Sequence, residues 1–85
     1  MPDMLTERYS EKQEALRRAL RQLRTVQGIT QSALSQTLGV HQSFVSKYES
    51  GERTLSYVDV FDICAAIGVS VPLINERFLR EINEA

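Results

Sequence analysis

Apolar residues recur along the chain at the three- and four-residue spacing of amphipathic helices, and no stretch alternates as a strand does. Four glycines (Gly28, Gly39, Gly51 and Gly68) punctuate this pattern. Helices often end at a glycine because it adopts the left-handed conformation cheaply. The sequence therefore predicts an all-α fold of five short helices. The predicted helices cover about residues 10–27, 31–38, 42–50, 57–67 and 71–83.

Polar residues at the predicted helix starts support these boundaries. Thr30 is a typical N-cap, because its side chain can accept a hydrogen bond from a free backbone N–H group. Ser10 with Gln13, and Ser56 with Asp59, have the three-residue spacing of a capping box. Ser70 is the expected cap of the last helix, where Pro72 occupies an early position that needs no N–H group.

The apolar stripes predict which side chains form the core. In the first helix we expect Ala15, Leu16, Ala19, Leu20, Leu23 and Val26 to face inward. In the second and third helices and their connection, the expected core residues are Leu34, Leu38, Val40, Val45 and Tyr48. In the fourth helix we expect most of Val58, Phe61, Ile63, Ala65, Ala66 and Ile67 in the core.

Length and composition narrow the function. A chain of 85 residues fits one domain. One cysteine and one histidine cannot form an internal disulfide or a zinc site, and no catalytic constellation is visible. We therefore expect neither an enzyme nor a bound cofactor. The chain shows no signal peptide and no apolar run of the ~20 residues that span a bilayer. A cytoplasmic protein without membrane contact is the expectation.

The net charge of −1 conceals an uneven distribution. Residues 17–53 carry six basic and two acidic residues, whereas both ends of the chain are acidic. We therefore expect any nucleic-acid contact to lie in the middle of the chain. Arg17, Arg18 and Arg21 are more simply interpreted as solvated residues that pair with Glu14.

The segment TQSALSQTLGVHQSFVSKYESG, residues 30–51, predicts two short helices joined by a turn of about three residues. That spacing is typical of a helix-turn-helix. Together with GITQSALSQTLGV, FVSKYESGER and LSYVDVFDICAAIGVS, it resembles the Cro and phage-repressor (xenobiotic-response-element-like) family of helix-turn-helix regulators. The resemblance covers roughly residues 16–74 and implies sequence-specific binding to double-stranded DNA.

The resemblance also implies roles for individual residues. Base contacts fall on Gln42, Ser43, Ser46 and Lys47. Phosphate contacts fall on Gln31, His41, Ser50, Arg53 and Thr54. Arg24 and Glu49 match a pair that forms an internal salt bridge in related domains. His41 departs from the usual Ser or Thr before the third helix, and Phe44 is larger than the residue in several relatives.

The last helix carries a wide apolar face that predicts a homodimer surface. Its residues are Leu73, Ile74, Phe78, Leu79 and Ile82, although packing wholly inside the protomer is the alternative. We divide the chain into an N-terminal arm or helix extension (1–9), a DNA-binding domain (10–74) and the rest of the C-terminal helix (75–85). The expected function is a bacterial or phage transcription regulator, most simply a repressor that binds an inverted repeat. The alternatives are a protein-interaction module, such as an antitoxin with a protein partner, or a restriction–modification controller.

Overall fold

The computed structural model describes the backbone of residues 4–84 and the side chains of residues 9–83. Within that range the chain forms five α-helices and no strand, which confirms the predicted all-α class. The helices are α1 (Met4–Val26), α2 (Gln31–Leu38), α3 (Gln42–Ser50), α4 (Tyr57–Ile67) and α5 (Val71–Glu84).

Of the two alternatives for the residues before Ser10, an arm or a helix extension, the structure shows an extension. Helix α1 already begins at Met4, so residues 4–9 extend it, while residues 1–3 of the predicted arm lie outside the described residues. Gln13 does not cap the helix. Its side-chain amide donates to the Leu55 carbonyl and accepts from the Leu55 N–H, each at 3.0 Å. The two bonds tie the middle of α1 to the segment between α3 and α4.

The other predicted caps are present. Thr30 Oγ1 accepts from the Ala33 N–H at 3.0 Å, and Ser70 Oγ accepts from the Leu73 N–H at 3.2 Å. Ser56 and Asp59 form a reciprocal capping box. These bonds satisfy backbone donors that a helix start would otherwise leave free.

The core lies where α1 to α4 meet and is closed by α5. The chief fully buried side chains are Leu20, Leu34, Val45, Tyr48 and Ile63. Helix α5 lies mainly against α1, and α2 lies against both α3 and α4. No single helix within residues 4–84 is long and apolar enough to cross a membrane, and only the bent pair α4 and α5 passes that test when taken together.

Several predicted core residues are exposed instead. In α4 the buried stripe is Val60, Ile63, Cys64 and Ile67, which places Val58 and Phe61 on the solvent side and also exposes Ala65. Val26 is exposed in the last turn of α1, where Arg24 is the buried residue, and Val40 is exposed in the α2–α3 turn.

Candidate nucleic-acid interface

Helices α2 and α3 cross over a tightly packed contact that determines which face of α3 meets solvent. Leu34 from α2 and Val45 and Tyr48 from α3 are all fully buried. Burying these positions leaves one face of the nine-residue helix α3 toward solvent. The outward face consists of exposed polar residues: Gln42, Ser43, Ser46, Lys47 and Ser50.

A buried ion pair connects α1 to the far end of α3. Arg24 Nε and Nη2 donate to the two carboxylate oxygens of Glu49 at 2.7 and 2.8 Å, and both side chains are at least nine-tenths buried. Arg24 Nη1 also donates to the Ile29 carbonyl at 2.7 Å. The hydrogen bonds from Arg24 to Glu49 raise the pKa of the guanidinium above its ordinary value. The pair therefore holds α3 at a set position against α1.

Gln31, expected to bind phosphate, takes part in the same network. Its Nε2 donates to Glu49 Oε1 at 3.0 Å, so one of its two amide protons is used within the chain. The other proton remains available at the start of α2, where free backbone N–H groups favour an anion.

His41 caps α3 in place of the usual Ser or Thr. Its Nδ1 accepts from the Ser43 N–H at 3.1 Å and lies 3.0 Å from Ser43 Oγ. Both residues are exposed at the N-terminal end of α3, where the polar face begins.

The segment after α3 is organised around Phe44. The guanidinium of Arg53 lies 4.5 Å from the Phe44 ring centre, which is a cation–π geometry, and Phe44 meets the ring of Tyr48 edge-on. Ser50 Oγ donates to the Lys47 carbonyl at 3.0 Å and lies 3.2 Å from a carboxylate oxygen of Glu52. Of the three phosphate ligands predicted here, Arg53 and Thr54 are exposed, whereas the Ser50 hydroxyl already has partners in the chain.

Sequence reasoning missed Arg17 as a neighbour of this segment. A Cβ atom built on Gly51 would lie 3.1 Å from Arg17 Cζ, so the guanidinium sits against the turn that follows α3. Arg18 instead pairs with Glu14 at 2.8 Å and with Glu81 at 3.3 Å. The recurrence of arginine every three or four residues along α1 could have indicated that these side chains share one face of the helix.

These features give a basic, polar surface of suitable size for a DNA groove. A nine-residue helix is about 13 Å long, close to the ~12 Å width of the major groove. Glutamine side chains pair with adenine, lysine pairs with guanine, and serine contacts either donors or acceptors of bases.

The helix-turn-helix family model (HTH_3) matches residues 20–74, which include all of α2, α3 and α4. The chain belongs to this Cro/C1-type family. It is thus a helix-turn-helix DNA-binding transcriptional regulator and not an enzyme. The family match extends from within α1 to the start of α5, so the ion pair of Arg24 and Glu49 lies inside it.

Solved structures show the same fold. The restriction–modification controller protein C.Esp1396I matches with a TM-score of 0.83 at 20% identity, over 87% of this chain and 96% of that chain. The C.Esp1396I tetramer in complex with its natural 35-base-pair operator matches at 0.79 and 21% identity, over 84% and 93%. The clp gene regulator ClgR from Corynebacterium glutamicum matches at 0.77 and 28% identity, over 85% and 77%. No curated protein matches the chain.

The predicted dimer surface of this helix-turn-helix protein needs one correction. Ile74 is 2% exposed and packs in the core of its own protomer, so it cannot contact a second copy. Leu73 and Leu79 are exposed, and Phe78 and Ile82 are half-buried. Val58 and Phe61 of α4 are exposed apolar residues that the prediction did not include.

Proposed function

We propose that this chain is a sequence-specific repressor that binds an inverted-repeat operator as a homodimer and blocks transcription there. The observation that carries the proposal is the outward polar face of α3. Gln42, Ser43 and Lys47 are exposed on it, while Val45 and Tyr48 of the same helix are fully buried. A rigid helix with this division presents side chains to base edges at a set angle.

The distribution of charge also supports an approach of the α3 face to DNA. The basic middle third of the chain supplies Lys47 and Arg53 around α3, and Arg17 lies beside the following turn. Phosphate contacts from such residues supply affinity without sequence information, whereas α3 supplies the discrimination. The acidic ends of the chain reduce nonspecific attraction to DNA. Such a protein acts in the cytoplasm, on the nucleoid.

Dimerisation follows from the limits of a single module. One small module buries roughly 600–1,000 Å² on DNA and contacts few base pairs. A twofold dimer places two recognition helices about 34–36 Å apart, one turn of the duplex. We assign the contact between copies to the apolar residues of α5 that remain accessible: Leu73, Phe78, Leu79 and Ile82.

The test combines selection from random duplexes with sedimentation. The proposal predicts enrichment of an inverted repeat whose half-sites lie about 10 base pairs apart, and a dimer in solution. Leu79→Glu should shift the protein toward monomer and weaken operator binding, whereas Asp62→Asn, at an exposed residue of α4, is the control. Enrichment of no sequence, or of a single half-site by a monomer, would contradict the proposal.

Arg53→Ala tests the phosphate contact separately. It should weaken binding to all duplexes by a similar factor and lower the slope of log K against log salt by about 1. A change confined to one base pair would contradict a backbone role for Arg53.

A controller of restriction–modification genes is the second candidate. The structural match to C.Esp1396I takes in 87% of this chain and 96% of that controller protein, so the fold corresponds to nearly the whole of it. Footprinting on DNA upstream of a neighbouring restriction or methyltransferase gene tests this role.

An antitoxin role is the third candidate, because the exposed Val58 and Phe61 offer an apolar surface to another protein. Copurification of a toxin that is lost in Phe61→Ser would support it.

A further inference from the structure

The cap of α3 defines which nitrogen of His41 carries the proton. Nδ1 lies 3.1 Å from the backbone nitrogen of Ser43, and a backbone N–H can only donate. Nδ1 is therefore the acceptor and has no hydrogen of its own. The proton of the neutral imidazole lies on Nε2.

This protonation pattern orients the hydroxyl of Ser43. Ser43 Oγ lies 3.0 Å from the same Nδ1. If the hydroxyl hydrogen pointed elsewhere, a lone pair of Oγ would face the lone pair of Nδ1 at hydrogen-bond distance, which is repulsive. The hydroxyl hydrogen therefore points to His41. A serine hydroxyl has one hydrogen and two lone pairs, so only acceptor capacity remains for a ligand.

We propose that His41 makes Ser43 an acceptor-only contact, so that Ser43 selects the amino groups of bases in the major groove. The amino groups exposed there are N6 of adenine and N4 of cytosine. A serine with a free hydroxyl could also donate a hydrogen bond to N7, O6 or O4. His41 thus acts as a positioning residue for specificity, in addition to capping the helix. The inference rests on the proposed function, because it requires α3 to face the major groove.

The first step of the test finds the base pair that Ser43 contacts. Duplexes are selected from a random pool at neutral pH with the wild type and with Ser43→Ala. Ser46→Ala removes another exposed serine hydroxyl from α3; because Ser46 is itself a predicted base contact, it should change the preference at a different base pair. We expect Ser43→Ala to relax the preference at one base pair of each half-site, where the wild type favours adenine or cytosine at the contact. If no base preference changes in Ser43→Ala, the inference is overturned.

The second step removes single groups from that base. An adenine is replaced by purine, which lacks the 6-amino group, or by 7-deaza-adenine, which lacks N7; a cytosine is replaced by pyrimidin-2-one, and its paired guanine by 7-deazaguanine. Dissociation constants from fluorescence anisotropy form a double-mutant cycle with Ser43→Ala. Loss of the amino group should weaken DNA binding by the wild type roughly 3–10-fold more than binding by Ser43→Ala, as expected for one hydrogen bond. Loss of N7 should affect both proteins equally.

Variants of His41 separate the orienting role from the capping role. His41→Asn retains an oxygen acceptor, caps helices well and should preserve the coupling to the amino group. His41→Ala removes the acceptor and frees the Ser43 hydroxyl, so coupling to N7 should appear. Circular dichroism confirms folding of both variants. Coupling of wild-type Ser43 to N7, or identical coupling in His41→Ala and the wild type, would overturn the inference. Failure of the proposed function itself would show differently, as a selection that enriches no sequence.

Discussion

Removal of the Glu49 carboxylate is the most informative perturbation of the fold. In Glu49→Ala, the guanidinium of Arg24 loses two hydrogen bonds of 2.7 and 2.8 Å, and the amide of Gln31 loses one of 3.0 Å. The Arg24 side chain is only 9% exposed, so water cannot readily replace the lost partner. A buried charge without a counterion is strongly destabilising.

The expected loss of stability in Glu49→Ala is large for so small a protein. Deleting one partner of a buried ion pair costs about 3–5 kcal/mol. A stability of roughly 0.05–0.15 kcal/mol per residue gives a chain of this length a total on the order of 4–13 kcal/mol. Glu49→Ala should therefore remove a substantial part of the free energy of unfolding and lower the Tm by more than roughly 10 °C.

Urea unfolding followed by circular dichroism, at one fixed protein concentration, measures this loss. The control is Glu14→Ala, since Glu14 forms an exposed pair with Arg18 and should cost less than about 1 kcal/mol. The double variant Arg24→Met/Glu49→Leu should recover most of the stability, because no buried charge is left unpaired. A loss below about 1 kcal/mol in Glu49→Ala would refute the assigned role of the pair.

Three further predictions concern other buried or strained positions. Tyr48→Phe should leave the Tm unchanged or raise it, because the buried hydroxyl has no hydrogen-bond partner among the described residues; a loss above about 1 kcal/mol would show a missing contact. Burial raises the pKa of the Cys64 thiol, so a disulfide reagent should modify the native protein far more slowly than the urea-unfolded one, and equal rates would contradict the packing. Gly51→Ala and Gly39→Ala should each cost roughly 1–2 kcal/mol in urea unfolding, because φ is +89° and +71° at these positions. Only Gly51→Ala should also weaken DNA binding, since its new Cβ displaces Arg17; equal affinities for the two variants would remove Arg17 from the interface.

The helix pattern could be predicted because local signals agree with it. Thr30 and Ser56 cap the predicted starts of α2 and α4, and glycines of positive φ follow the ends of α2, α3 and α4. The start of the first helix was left open because Ser10 and Gln13 have the spacing of a capping box, whereas Gln13 binds the Leu55 backbone instead.

Side-chain exposure was harder to predict, since it depends on how the helices are arranged. Apolar residues occur on both faces of α4, and only the packing against α1, α2 and α5 decides that Val60 is buried and Phe61 exposed. Similarly, the sequence predicted an apolar face on α5, but the rotation of α5 against α1 determines that Ile74 is buried in the core.

The candidate interface was predictable in position but not in hydrogen bonding. The family resemblance placed Gln42, Ser43 and Lys47 at base-contacting positions, and the structure shows all three exposed on α3. No spacing rule indicates that the Ser43 hydroxyl points to His41 or that Gln31 donates to Glu49. These bonds decide which donors and acceptors remain for DNA.

The central claim, that α3 discriminates DNA sequences, is tested most directly by a specificity ratio. The ratio compares dissociation constants for the selected operator and for a scrambled duplex of equal length at one ionic strength. The double variant Gln42→Ala/Lys47→Ala should lower the ratio at least roughly 10-fold, since each base contact contributes about 1–3 kcal/mol of discrimination. Asp62→Asn, at an exposed residue of α4, should leave the ratio unchanged. A double variant that keeps the wild-type ratio would contradict recognition by α3.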